Sequence, residues 1–271
     1  KPAEVAPILR GLCALPDGDE AKRFVLTFRS NSNIRKYVSA RDLERFSQDG
    51  NVTPDHSIRI KPLPLVLPAP NAADPEGFRA AAATAMDGFR KRYREYFKVN
   101  NAKSPVKKIR LDDSPRVMLV PGVGLFGVGN DAKSAAIAAD LAETTVDVTS
   151  AAEAVGRFES ISKYDQFEIE YWSLEQAKLG KGQEKPLARQ VAVVTGAGGT
   201  IGRSIAASFR AAGADVALLD KDAKAVLAAA AAVGGLGIAA DVTDPKSVEA
   251  AFGQVIEAFG GLDILISNSG A

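Results

Sequence analysis

The stretch Val191-Ala192-Val193-Val194-Thr195-Gly196-Ala197-Gly198-Gly199-Thr200-Ile201-Gly202 decides the fold of the last third of this chain. Val191–Val194 is a continuous apolar run, which reads as a strand buried on both faces. The glycines after it form a turn, and helical spacing begins at Gly202 and runs to Ala212. The same alternation then repeats. Val216–Leu219, Leu236–Ala240 and Leu262–Ile266 read as strands, and Ala223–Ala232 and Pro245–Phe259 as helices. Strands this short, alternating with longer helices, require a parallel sheet covered on both faces.

A glycine-rich turn after the first strand lets backbone amides approach a pyrophosphate, and the next helix points its positive N-terminal end at that charge. This is a Rossmann pattern, so Gly196, Gly199, Thr200, Ile201 and Gly202 are candidate cofactor-binding residues. The second strand ends in Asp220, whose carboxylate could accept ribose hydroxyls and repel a 2′-phosphate. NAD is therefore expected over NADP, although Lys221 beside it blurs the choice. The alternative is that Asp220 only caps the next helix.

Upstream, residues 21–150 mix strands and helices. Phe24–Phe28, Val117–Val120 and short edge segments within Lys61–Pro70 read as strands. Helices are expected around Ile34–Val38, Arg41–Phe46, Glu76–Phe97 and from about Asp131 to Ala154, with Asn130 or Asp131 as cap. Thr53-Pro54-Asp55-His56 reads as a turn. Lys163–Leu179 reads as a helix, and Gly180–Pro186 as a linker. The expected division is 1–179 as an α/β region, 180–186 as linker and 187–271 as the dinucleotide-binding domain.

Composition narrows the rest. The 271 residues are 46% hydrophobic and 25% charged, with a formal net charge of +1. That balance gives no general attraction to nucleic acid or anionic membrane, so the basic residues of Lys103–Arg110 and the arginines of Phe89–Tyr96 read as solvated faces. No membrane span is expected. The lone Cys13 suits a reducing cytoplasm. Trp172, Tyr171 and Phe167 read as packing residues. The chain stops at the close of an apolar strand, which suggests a piece of something longer.

Residues 187–271 resemble the start of a short-chain dehydrogenase/reductase. Thr195, Gly196 and Gly202 match the family's T-G-x-x-x-G-x-G pattern, while Thr200 replaces the middle glycine. Gly198 and Gly199 are expected to let the loop shift around it. The resemblance implies that Asp241 and Val242 lie near the adenine. It also makes Ser267-Asn268-Ser269-Gly270 the counterpart of N-N-A-G, so Asn268 and Gly270 join the candidate set. The family's Tyr-x-x-x-Lys does not occur in the chain. No catalytic residue is assigned, and the piece alone is expected to be inactive.

The remainder is similar to the segment that precedes the dehydrogenase in class II aldolase/alcohol dehydrogenase fusions of the rhamnulose-1-phosphate type. Residues 53–59, Arg116–Phe126 and Glu170–Leu179 carry that likeness. The expected fold is α/β, an aldolase-like mixed region succeeded by a partial doubly wound Rossmann domain. The implied parent is bifunctional, acting on a small sugar-derived aldehyde or alcohol and forming a homo-oligomer. An alternative is a sugar-alcohol dehydrogenase with a non-catalytic accessory domain, and another is a non-catalytic NAD-binding module.

Zinc in that aldolase family needs several histidines, and His56 is the only one here. Metal is therefore expected only upstream of this chain, with His56 either one contributor or a surface or hydrogen-bonding residue. Gly122–Gly129 has the family's glycines and Leu-Phe but no histidine, which suggests that residues 20–155 are a metal-free aldolase-like repeat. A phosphate loop is a further reading of that run, though it lacks G-K-[ST].

Overall fold

The computed structural model describes residues 1–17, 20–174 and 184–270. They form two compact units, one of residues 28–128 and 135–174, the other of residues 2–17, 20–27, 129–134 and 184–270. No helix among the described residues is long and apolar enough to cross a membrane.

The first unit is built on a mixed sheet. The strands of this sheet are β3 (Val25–Arg29), of which only Phe28 and Arg29 fall within this unit, β4 (Leu65–Val66), β5 (Val117–Val120) and β6 (Gly124–Gly129), in the order β3-β6-β5-β4. β5 and β6 are antiparallel, and β4 joins β5 in parallel at the edge. The proline-punctuated run thus supplies one edge strand, as its missing amide donors require. The run at Gly122–Gly129 is a hairpin turn and a fully buried strand, so the phosphate-loop reading fails.

Around the sheet lie α2 (Ser32–Val38), α3 (Leu43–Ser47), α4 (Pro54–Ile60), α5 (Pro75–Lys103), α6 (Ala132–Val155) and α7 (Lys163–Glu170). Asn31 caps α2 through its side chain, and Asp74 caps α5. Asp131, one of the two expected caps, receives the Ser134 amide at 2.7 Å. The expected turn at Thr53–His56 is instead the start of α4. Pro54 sits at its first position with Asp55 in the first turn, a start that suits a helix. Phe78, Ala82, Met86, Phe89 and Tyr93 form the buried stripe of α5. Gly127 is where α6 meets β6, since a Cβ there would lie 2.3 Å from the Ala135 carbonyl oxygen and 2.4 Å from the Ala139 nitrogen.

The expected helix at Lys163–Leu179 ends its regular course at Glu170, with Tyr171 as C-cap. Residues 175–179 of that helix and 180–183 of the expected linker lie outside the described residues. Phe167 and Tyr171 are buried, but Trp172 is 51% exposed and does not pack as expected, because it lies past the helix end.

Four parts of the sequence meet in a buried ionic cluster of this unit. Glu170 accepts a hydrogen bond from the Tyr93 hydroxyl at 2.7 Å, and the Tyr93 and Tyr171 hydroxyls are also 2.7 Å apart. Lys61 donates to the Asp112 carbonyl, and its Nζ lies 4.1 Å from the centre of the Tyr93 ring. Arg116 holds the Asp112 carboxylate, with one contact at 3.0 Å. Lys61 adopts φ 63°, ψ 166°, a backbone region costly for a residue with a side chain. Burial pushes the Glu170 carboxyl up to about 7 and the Lys61 amine down to about 8.

The second unit holds the parallel sheet β10-β7-β8-β9, formed by β7 (Val191–Thr195), β8 (Asp215–Asp220), β9 (Leu236–Ala239) and β10 (Ile264–Ile266). The pairings β10–β7, β7–β8 and β8–β9 are all parallel. Three helices connect these strands: α8 (Thr200–Ala211), α9 (Ala223–Val233) and α10 (Pro245–Phe259). Ala192, Val194, Val216, Leu218, Ala206 and Val226 belong to one apolar core there.

This unit also contains α1 (Pro2–Cys13) and the small hairpin of β1 (Leu15–Asp17) and β2 (Glu20–Lys22), where the sequence pattern predicted no element. Buried Arg10 of α1 anchors them, with Nη2 at 2.7 Å and Nη1 at 3.0 Å from the Asp263 carboxylate. Removing one partner of such a pair costs about 3–5 kcal/mol, because a buried charge is left uncompensated.

These packings make two outcomes measurable. Gly127→Ala forces α6 off β6 and is expected to destabilise the chain by about 1–3 kcal/mol, read as a lowered denaturant midpoint. For the ionic cluster, the unfolded chain releases the Glu170 proton near the ordinary carboxylate value of 4.5, whereas the folded chain keeps it until about 7. Stability therefore falls as pH rises across that window, by at most about 1.4 kcal/mol per pH unit. Lys61, released at about 8 instead of 10.5, makes stability rise again above pH 8. Glu170→Gln is expected to flatten the acid side of this profile in denaturant titrations between pH 4.5 and 7. An unchanged slope would refute the assignment.

Candidate functional site

The candidate residues gather at the C-terminal ends of the parallel strands. β7 runs directly into the turn, and Gly196 takes φ +63°. A Cβ on Gly202 would lie 2.5 Å from the Gly196 carbonyl oxygen and 2.8 Å from Asn268 Nδ2, so only glycine lets α8 start this close to β7. Gly199 is the N-cap of α8 and supplies no side-chain cap. By contrast, α9 and α10 are capped by the side chains of Asp222 and Asp244. The first amides of α8 are thus left without the side-chain acceptor that the other two helices have.

Thr200 stands in the first turn of α8 and is exposed, as is Ile201 at 71%. The threonine that replaces the family glycine therefore meets no crowding from the chain itself. Gly199 is not needed to relieve it, since a Cβ there would make only an ordinary 3.5 Å contact. Gly198 has a different constraint: a Cβ would lie 3.0 Å from the Asp220 carboxylate and from Ala225 Cβ.

Asp220, at the end of β8, faces this turn. Its Oδ2 accepts the Gly198 amide at 3.0 Å and its Oδ1 accepts the Asp222 amide at 3.0 Å. A carboxylate offers about four acceptor directions, so each oxygen retains capacity for a hydroxyl donor. The residue that caps α9 is Asp222, whose Oδ1 receives the Ala225 amide at 2.9 Å. The alternative reading, in which Asp220 only caps that helix, fails.

Asp241 and Val242 come after β9 at the same end of the sheet. Ala240 donates its amide to the Asp220 carbonyl at 2.8 Å, which brings the two strand ends together. The Asp241 carboxylate is turned onto the Thr243 amide and hydroxyl, at 2.9 and 2.6 Å, and those bonds hold its pKa below the ordinary value. Val242 is 45% exposed.

Asn268 lies under the turn, not on its open side. Its amide nitrogen Nδ2 donates to the carbonyls of Thr195 and Gly196 at 3.0 and 3.3 Å. The Thr195 hydroxyl accepts the backbone amides of Asn268 and Ser269 at 3.0 and 3.1 Å. Thr195 was absent from the candidate set, although its place directly before the glycines was a usable signal. Gly270 is exposed, with nothing near enough to touch an added Cβ.

His56 is distant from any such arrangement. It is buried and hydrogen-bonded, so of the reading as a surface or hydrogen-bonding residue the second option is the one observed. Nε2 lies 3.1 Å from the Leu141 carbonyl, which can only accept, so Nε2 carries the proton and Nδ1 accepts from the Thr53 hydroxyl at 2.7 Å. Burial lowers its pKa. Both nitrogens are used within the chain, and the described residues bring together no group of three or more His, Cys, Asp or Glu side chains able to hold a metal. The described residues therefore do not fit the zinc of a class II aldolase.

Comparison with known proteins places two families along the chain. Residues 1–179 match the family "Aldolase class II, second domain", and residues 190–271 match "short chain dehydrogenase". An uncharacterized oxidoreductase of Bacillus subtilis, YuxG, is 27% identical over 277 residues, covering 99% of this chain and 39% of that protein. D-threitol dehydrogenase of Mycolicibacterium smegmatis is 42% identical over 86 residues, 30% of this chain and 33% of the enzyme. Galactitol 2-dehydrogenase of Agrobacterium fabrum is 40% identical over 85 residues, 31% of this chain and 33% of the enzyme. The chain thus spans well under half the length of each of these relatives. It belongs to the class II aldolase family through the second domain of that family, and it continues into a short-chain dehydrogenase segment of the oxidoreductase type.

Proposed function

We propose that the C-terminal segment binds NAD across the Gly196–Gly202 turn, as the cofactor half of a short-chain dehydrogenase. The observation that carries this reading is the Asp220 carboxylate at 3.0 Å from the Gly198 amide, beside a helix start without a side-chain cap. The residues fit the group: Gly196 and Gly202 leave backbone where side chains would intrude, and the amides of Thr200 and Ile201 would face a pyrophosphate, while the Gly199 amide closes the turn on the Gly196 carbonyl at 3.3 Å. Asp220 would accept the ribose hydroxyls and repel a 2′-phosphate. Asp241 and Val242 would border the adenine, with Gly270 beyond the turn and Asn268 supporting it from below. When bound, the nicotinamide would accept or donate hydride.

For the parent protein, we propose oxidation or reduction of a small sugar-derived alcohol or aldehyde. Support comes from the likeness of this segment to polyol dehydrogenases. Residues 1–179 would serve as the aldolase-like region, 180–186 as linker and 187–271 as the dinucleotide domain. An aldolase activity of the parent would need zinc ligands supplied from outside these residues. Homo-oligomerisation is proposed from the family resemblance, and a cytoplasmic location from the lone, buried Cys13.

Calorimetric titration of the 271-residue chain tests the cofactor reading. NADH is expected to bind at least about tenfold more tightly than NADPH, the ratio equivalent to ~1.4 kcal/mol of like-charge repulsion. Asp220→Ala is expected to weaken NADH and narrow that preference. Tighter binding of NADPH, or no change on removing Asp220, would overturn it.

A further inference from the structure

We infer that Arg10 of α1 is a positioning residue for the dinucleotide site, acting from the opposite end of the parallel sheet. The inference rests on the dinucleotide reading. It concerns a residue from the part of the chain matched as a class II aldolase second domain, not from the dehydrogenase segment.

β10 is short, with Ile264 and Ile266 packed on the apolar core of this unit. Only Ile264, Leu265 and Ile266 pair, with Ala192, Val193 and Val194, and Leu265 is 51% exposed. With only three residues paired, side-chain packing is confined to one short stretch of β10. Directional hydrogen bonds at its two ends add to that packing in setting the register.

At the upper end, Thr195 and Asn268 lock β10 to β7 through four hydrogen bonds of 3.0–3.3 Å, two of them reaching the Thr195 and Gly196 carbonyls of the glycine turn. At the lower end, Asp263 does the corresponding work. Its Oδ2 accepts the Val191 amide at 2.8 Å, and its own amide donates to the Val191 carbonyl at 2.9 Å.

Asp263 could not hold that position alone, since its side chain is 6% exposed and charged. Arg10 compensates it with a two-pronged contact at 2.7 and 3.0 Å. The same guanidinium donates to the Phe24 carbonyl at 2.8 Å and the Arg189 carbonyl at 3.1 Å. Arg23 adds a longer contact, 3.4 Å from Asp263 Oδ1, with a half-exposed side chain. The planar fork of Arg10 thus fixes Asp263, Asp263 fixes where β10 starts along β7, and that register decides where Asn268 meets the glycine turn.

Amide hydrogen exchange on the ligand-free 271-residue chain tests the coupling apart from cofactor binding. Arg10→Met is expected to speed exchange at Gly196–Gly202 and Asn268 about tenfold, the loss of one or two hydrogen bonds in opening free energy, while β9 and Asp241 keep their rates. Arg10→Lys, which retains charge without the fork, is expected to fall between Met and wild type, and it decides the question if the Met variant does not fold. NADH affinity of the folded variants is expected to weaken in the same order. Faster exchange confined to α1 and Val191, or uniform across the whole sheet, would overturn the inference. So would an unchanged NADH affinity in a chain that binds it. Should wild type bind no NADH while Arg10→Met still loosens the glycine turn, the coupling stands and the cofactor reading falls.

Discussion

The pair of Arg10 and Asp263 closes one end of the parallel sheet, and the Thr195–Asn268 bonds close the other. Between them β7 and β10 are linked by backbone bonds that would be equally satisfied in a slipped register. Apolar side chains on β7 cannot break that degeneracy, because every residue from Val191 to Thr195 is buried. When both faces are apolar, a slip costs less than in a strand with one polar face. Side chains with directional bonds at the strand ends add to what Ile264 and Ile266 supply by packing on the core, and both ends here use residues that lie outside the paired segment.

Much of this second unit was legible from residue pattern alone. Short apolar runs separated by helical spacing carry a parallel sheet almost without ambiguity, and the observed strands differ from expectation by a residue or two at their ends. The glycine turn was legible for the same reason: its place between β7 and α8 is a local property. Arg10 was not legible. Its partner lies 253 positions away, and nothing in Pro2–Cys13, with a proline inside the helix, marks it as part of a sheet unit. The roles of Asn268 and Thr195 were half legible, since spacing brought them to the turn but could not say which side of it Asn268 would occupy.

In the first unit the errors have a shared cause. Thr53-Pro54-Asp55-His56 contains turn-forming residue types, yet the same types start helices. The residues after them decide the outcome, and Ile58 and Ile60 are buried on the continuing helix. Gly122–Gly129 suffers the opposite ambiguity. Glycines suggest a loop, but Gly127 is there because α6 presses its backbone onto β6, a contact that only the fold defines. His56 could be read as ligand, surface or hydrogen-bonding residue because the carbonyl it binds, Leu141, sits in a helix far along the chain.

The aspartates of the parallel-sheet unit show why position, not residue type, selects the candidate site. Asp215 and Asp263 sit at the N-terminal ends of β8 and β10, buried against Arg210 and Arg10. Their charges are consumed by the fold. Asp222 and Asp244 accept amides at helix starts, where a carboxylate is favoured by the helix field. Asp241 closes a local turn on Thr243. Asp220 alone in this set stands at the C-terminal end of a central strand, half-buried, with its carboxylate on the glycine turn. A carboxylate kept near water and beside bare backbone can exchange its solvent for hydroxyl donors at little desolvation penalty, whereas Asp263 would have to surrender a buried ion pair to do so.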